Sequence, residues 1–105
     1  MAQLLKVIET HLSDSEYGVD QMAQDVAMSR SKLYDKMRNM LGISPADFIR
    51  NVRLKRSAEL LTGTSLPITD IAERVGFATA RNYSQQFKKM FGVLPSEYRS
   101  QGQTL

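Results

Sequence analysis

The chain has no cysteine, three prolines and one histidine among its 105 residues. Without cysteine there are no disulfides and no thiolate metal sites, a composition that suits a cytoplasmic protein. The lone histidine, His11, leaves no cluster of His, Asp and Glu at metal-ligand spacing and no nucleophile–base pairing. The six glycines, at 18, 42, 63, 76, 92 and 102, are scattered as turns and caps, so no glycine loop is available to cradle phosphate. No apolar run approaches the ~18 residues that would cross a bilayer. The N-terminus, Met1-Ala2-Gln3-Leu4-Leu5-Lys6, lacks the basic stretch and long apolar run of a secretion signal. These absences speak against an enzyme, against a bound cofactor or metal, and against membrane contact by this segment.

What is present is helix-forming sequence. Hydrophobic residues make up 42% and charged residues 24%, the balance of one compact globular domain. Little of the chain alternates with period two, and β-branched residues do not cluster, so the fold class expected is all-α with about seven helices. The first covers about residues 2–12, with Leu5, Ile8 and Leu12 on its buried face. A loop over 13–18 precedes a short helix near 19–26, then a tight turn at Ala27-Met28 and a third helix from Ser29 to Leu41. Gly42 supplies the left-handed position that ends it. Ser44-Pro45-Ala46-Asp47 reads as a helix start, with Ser44 capping and Asp47 bonding back to it. The fourth helix runs to about residue 61, with Leu54, Ala58 and Leu61 on one stripe. Residues 68–75, 79–91 and a short stretch after Pro95 complete the set, before a polar tail over 100–105.

The second half repeats the first. Val19, Met22 and Val26 match Ile68, Ile71 and Val75 at a spacing of 49. After the turn the spacing is 50: Leu33 matches Tyr83, Met37 matches Phe87, Gly42 matches Gly92 and Pro45 matches Pro95. The second copy therefore carries one extra residue just after its turn. Each copy is a short helix, a tight turn and a longer helix, with a small residue, Ala23 or Ala72, where the helices cross. That is a helix-turn-helix pattern. The expected organisation is a first helix-turn-helix subdomain over 1–43, a linker helix over 44–62, a second subdomain over 63–99 and the tail.

Charge follows the repeat. Net charge is +3, yet residues 29–56 carry +6, residues 78–99 carry +3, and the remainder −6. Two basic windows on an otherwise acidic chain suit a surface that meets a polyanion. The outward residues of the first long helix are Arg30, Ser31, Lys32, Tyr34, Asp35 and Arg38. Those of the second are Thr79, Arg81, Asn82 and Gln85, with Lys88 and Lys89 further along. Arg can fork onto guanine and Asn or Gln onto adenine in the major groove of double-stranded DNA, while the lysines suit phosphate. Asp35 could accept from a cytosine amine, but pairing with a basic neighbour is the reading slightly favoured. The rival class is a helical protein-interaction module lined by the six methionines. Met22, Met28, Met37, Met40 and Met90 fall on the expected inner faces, which favours core filling. No aromatic platform for single-stranded RNA is evident.

The residues Ile71-Ala72-x-x-Val75-Gly76-Phe77 and Tyr83-Ser84-x-x-Phe87-Lys88-Lys89-x-Phe91-Gly92-x-x-Pro95-Ser96-x-Tyr98-Arg99 resemble the signature of the AraC/XylS transcription regulators. Ser29-Arg30-Ser31-x-Leu33-Tyr34, Leu41-Gly42-x-Ser44-Pro45-x-x-Phe48-Ile49, and Arg53-Leu54 with Ala58 and Leu60-Leu61 are similar to that family's first subdomain and linker. They are most similar to the output domains of hybrid two-component sensors. The resemblance implies two helix-turn-helix units joined by a long helix, with both recognition helices in successive major grooves of one duplex face. It implies a transcription regulator, an activator, with RNA polymerase as a further partner. It also implies an output domain, monomeric alone, within a larger protein that is dimeric. Asp35, Gln85 and Ala27 depart from the residues usual in the family, so base preference does not carry over.

Overall fold

The computed structural model describes residues 2–103, and among them the chain forms seven helices and no strand. They are α1 (Ala2–Thr10), α2 (Val19–Asp25), α3 (Arg30–Leu41), α4 (Pro45–Gly63), α5 (Ile68–Arg74), α6 (Ala80–Phe91) and α7 (Pro95–Gln103). The molecule is elongated, with extents of 44 × 23 × 22 Å. No helix among the described residues is long and apolar enough to cross a membrane.

The elongation follows from two cores. Leu4, Ile8, Tyr17, Met22, Val26, Leu33, Met37, Phe48 and Ile49 form one. Leu54, Ala58, Leu61, Ile71, Ala72, Tyr83 and Phe87 form the other. α4 contributes to both: Phe48 and Ile49 near its start face the first core, and Leu54, Ala58 and Leu61 face the second. The second core is the more aromatic. Phe87 stacks on Phe91 at 4.4 Å between ring centroids and meets Tyr83 and Tyr98 edge-on at 5.8 and 5.4 Å. Such ring pairs add ~0.5–1.5 kcal/mol each beyond their buried area.

Several local expectations need correction. Leu5 is 41% exposed, and Leu4, four residues before Ile8, fills the core instead. α1 ends at Thr10, so Leu12 lies in a turn where His11 and Leu12 donate to the carbonyls three residues back. Ser44 caps α4 by accepting from the Asp47 amide at 3.2 Å, but the Asp47 carboxylate turns to Arg50 at 2.9 Å and leaves the capping box half made. Met40 and Met90 are 48% and 37% exposed. They sit in the last turns of twelve-residue helices, which the seven-residue α2 and α5 are too short to cover along their length. Residues 100–103, expected in the tail, continue α7. Gly102 lies so close to Thr62 of α4 that a Cβ there would approach its methyl to 2.9 Å, and Arg99 donates to the Leu61 and Thr64 carbonyls at 2.9 and 3.4 Å. Leu105 and residue 104 lie outside the described residues.

Candidate nucleic-acid interface

Each long helix is aimed by the turn before it, and the two turns are built alike. In the first, the Ala27 and Met28 amides donate to the Gln24 and Ala23 carbonyls at 3.1 and 2.9 Å. In the second, Gly76 and Phe77 donate to Glu73 and Ala72 at the same two distances. The middle residue is left-handed in both, Ala27 at φ 55° and Gly76 at φ 88°. Caps follow: Ser29 accepts from the Lys32 amide at 3.2 Å and Thr79 from the Asn82 amide at 3.0 Å. The turn bonds repeat at a spacing of 49 and the caps at 50, so Ala78 is the extra residue.

The crossing then buries one face of each long helix. Leu33 and Met37 are sealed on α3, and Tyr83 and Phe87 on α6. With 3.6 residues per turn, Ser31, Asp35 and Arg38 stand opposite the first pair, and Arg81, Gln85 and Lys88 opposite the second. All six are exposed, as are Arg30, Lys32, Thr79, Asn82 and Lys89, while Tyr34 is half-buried. Sequence reasoning passed over Asn39, exposed on α3 and standing 50 residues before Lys89. The internal repeat was the signal that could have found it.

The structure separates free cations from engaged ones. Arg30 pairs with Asp20 of α2 at 3.2 Å, and its guanidinium lies over the Tyr34 ring at 5.8 Å. The Tyr34 hydroxyl, and then the Asp20 carboxylate, push the Arg30 guanidinium above its ordinary value. Arg50 pairs with Asp47, and Arg56 with Glu59 at 2.7 Å. Arg53 and Arg99 bond backbone carbonyls. The positive windows are therefore partly neutralised within the chain. Among the described residues, Lys32, Lys36, Arg38, Arg81, Lys88 and Lys89 form no ion pair. Asp35 forms none either, so the pairing expected for it with a basic neighbour is absent. Thr79 spends a lone pair on its cap, and its hydroxyl proton can still be donated. Beside α6, Lys89, Gln86 and Met90 line a shallow groove with Arg50 and Asn51 of α4.

Behind this face lies the second core. The Tyr83 hydroxyl is buried without a hydrogen bond of good geometry, since the nearby Ser57 hydroxyl donates to the Leu54 carbonyl at 2.6 Å. Burial pushes the Tyr83 phenol above its ordinary value, opposed by Ser57 and Arg99. Among the described residues no group of three or more His, Asp or Glu could hold a metal ion.

Residues 22–101 match the family described as a helix-turn-helix domain. The chain is 37% identical over 93 residues to the arabinose operon regulatory protein of Salmonella typhimurium, covering 89% of this chain and 33% of that protein. It is 30% identical over 100 residues to histidine kinase P4 of Formosa agariphila, covering 95% of this chain and 7% of that protein. Its fold superposes on the C-terminal domain of AraT, a response regulator from Geobacillus stearothermophilus, with a TM-score of 0.87 at 36% identity, covering 95% of this chain and 83% of that one. The chain thus spans a third or less of the length of these two curated relatives.

Proposed function

The chain belongs to the AraC/XylS family of helix-turn-helix transcription regulators, and from that premise we propose that it binds double-stranded DNA sequence-specifically, with α3 and α6 in successive major grooves on one face of the duplex. One observation carries the reading: two turns with the same hydrogen bonds and caps present two exposed polar helix faces at matching positions. The long dimension of 44 Å accommodates two helices about one DNA turn apart, roughly 34 Å. A single chain then makes the two-groove contact for which simpler helix-turn-helix proteins dimerise.

Within this reading Arg81, Asn82, Gln85, Ser31 and Asp35 address base edges, Asp35 accepting from a cytosine amine. Thr79, Lys32, Arg38, Asn39, Lys88 and Lys89 address the backbone. Arg30, held by Asp20, reaches phosphate only at the rim, and Tyr34 packs beneath it. The domain does no catalysis. It acts as the output part of a longer two-component regulator that activates transcription through contact with RNA polymerase. It is monomeric alone and dimeric in the longer protein.

The test is an in vitro selection from random duplex DNA followed by footprinting. Two half-elements about one turn apart, protected on one face, support the reading. Protection of a single groove, or indifference to duplex DNA at low salt, overturns it in favour of a helical protein-interaction module.

A further inference from the structure

Near the middle of α4, Arg53 leaves the helix sideways and enters the loop after α1. Its Nη2 donates to the Asp14 carbonyl at 2.8 Å and to the Tyr17 carbonyl at 3.4 Å. Its Nε is buried with no hydrogen-bond partner. Burial disfavours the charge on Arg53, and Asp14 offsets only part of that, so the group is held there at a desolvation cost.

On the other side of the same guanidinium lies the turn of the second unit. A Cβ on Gly76 would stand 2.9 Å from Cζ and Nε of Arg53, and would run into the Leu12 carbonyl in the turn after the first helix. Ser13 and Ser15 of the loop line a cleft with Glu73, Phe77 and Ala80 of the second unit. The first turn supplies the contrast. Ala27 takes the equivalent left-handed position and is exposed, whereas Gly76 is buried. Left-handed backbone does not by itself demand glycine in this chain. At residue 76 the neighbouring unit demands it.

The geometry points to Arg53 and Gly76 as a clasp that fixes the rotation of the second helix-turn-helix unit against the first, and so sets the spacing of the two half-elements the domain accepts. The inference rests on the DNA reading above. Neither residue is placed on the proposed DNA face; both are positioning residues. One added base pair moves a half-element roughly 3.4 Å along the axis and about a tenth of a turn around it. Units locked together reject such a site, and units free to swivel accept it.

The absence of cysteine permits a direct measurement. Spin labels are placed at K36C and S96C, exposed positions in the two halves, and the label–label distance distribution is recorded for the parent and for R53Q. In parallel, duplexes carrying the two selected half-elements with varied spacers are competed. The parent is expected to give a narrow distribution and to prefer one spacing about tenfold over its neighbours. R53Q is expected to broaden the distribution and cut the preference to threefold or less, with base preference inside each half-element unchanged. R53K keeps the charge but lacks the planar fork that reaches both carbonyls, and it serves if R53Q does not fold. Distributions as narrow in the variants as in the parent overturn the clasp. A broadened distribution with unchanged spacing preference overturns its role in spacing. If the parent selects no two-part site, the DNA reading fails, while the label distances still judge the clasp.

Discussion

Ala27 and Gly76 occupy equivalent turn positions with different surroundings, so exchanging their residues separates backbone strain from packing. A left-handed residue bearing a Cβ costs ~1–2 kcal/mol. Replacing glycine by alanine recovers ~0.4–1 kcal/mol by stiffening the unfolded chain. Backbone terms alone therefore favour glycine by about 0.5–1 kcal/mol. At residue 27, which is exposed, the backbone terms dominate, and A27G should stabilise by that amount. At residue 76 the added methyl meets the Leu12 carbonyl, a backbone atom, and the Arg53 guanidinium. Overpacking of this kind adds ~1–3 kcal/mol, so G76A should destabilise by about 1.5–4 kcal/mol. For a domain of this size each kcal/mol moves Tm by ~4–8 °C. A27G should melt a few degrees higher and G76A at least ~6 °C lower, followed by far-ultraviolet circular dichroism with urea midpoints as a second measure. If G76A costs no more than A27G gains, the packing at residue 76 contributes nothing and the reasoning fails.

Three further outcomes are expected. R81A should erase preference at one or two base pairs of the selected site, whereas K88A should weaken all sequences alike and flatten a log–log salt slope near −5 by about 1, as read in a titration series. F87A should cost ~3–5 kcal/mol in urea denaturation because Phe87 is fully buried among three rings, while M90A should cost under ~1 kcal/mol. Burial raises the Tyr83 phenol, and at Tyr17 burial and then the neighbouring Asp25 raise it further. Both tyrosines therefore stay protonated in the folded chain after the unfolded chain begins to ionise near pH ~10. The folded state binds the extra protons, so stability is intact below that pH and falls above it, by up to ~1.4 kcal/mol per unit for each tyrosine. Y83F should change stability at pH 7 by less than ~1 kcal/mol, since the neighbouring Ser57 hydroxyl spends its proton on the Leu54 carbonyl, and should flatten the alkaline fall.

The helix order and the Ser44 cap could be read from the sequence because each depends on neighbours within about four residues, and the duplication because it recurs at a nearly fixed spacing; the matching caps at Ser29 and Thr79 came only with the structure. Gly42 and Ser44 punctuate the chain whatever packs on them. The choice of Leu4 over Leu5 could not be read, since both fit a helical period with Ile8 and only the packing of α1 against the rest of the first core decides between them. Arg53 and Arg99 look like surface cations in sequence and prove to be anchors, because their carbonyl partners lie 39 and 38 residues away. The candidate interface was legible in position but not in charge, since Asp20, Asp47 and Glu59 neutralise arginines that a count along the chain leaves free.

The helix shared by both cores also has an ancestry written into its length. Leu54 and Ala58, which it lends to the second core, stand 50 residues after Leu4 and Ile8 of the opening helix, and Pro45 at its start stands 50 before the Pro95 that begins the closing one. α4 is thus the last helix of one copy run without a break into the first helix of the next. A seam of that kind leaves no loop between the copies: any turning of one half against the other must be taken up within the helix and by the side chains, such as Arg53, that cross from it to the neighbouring unit.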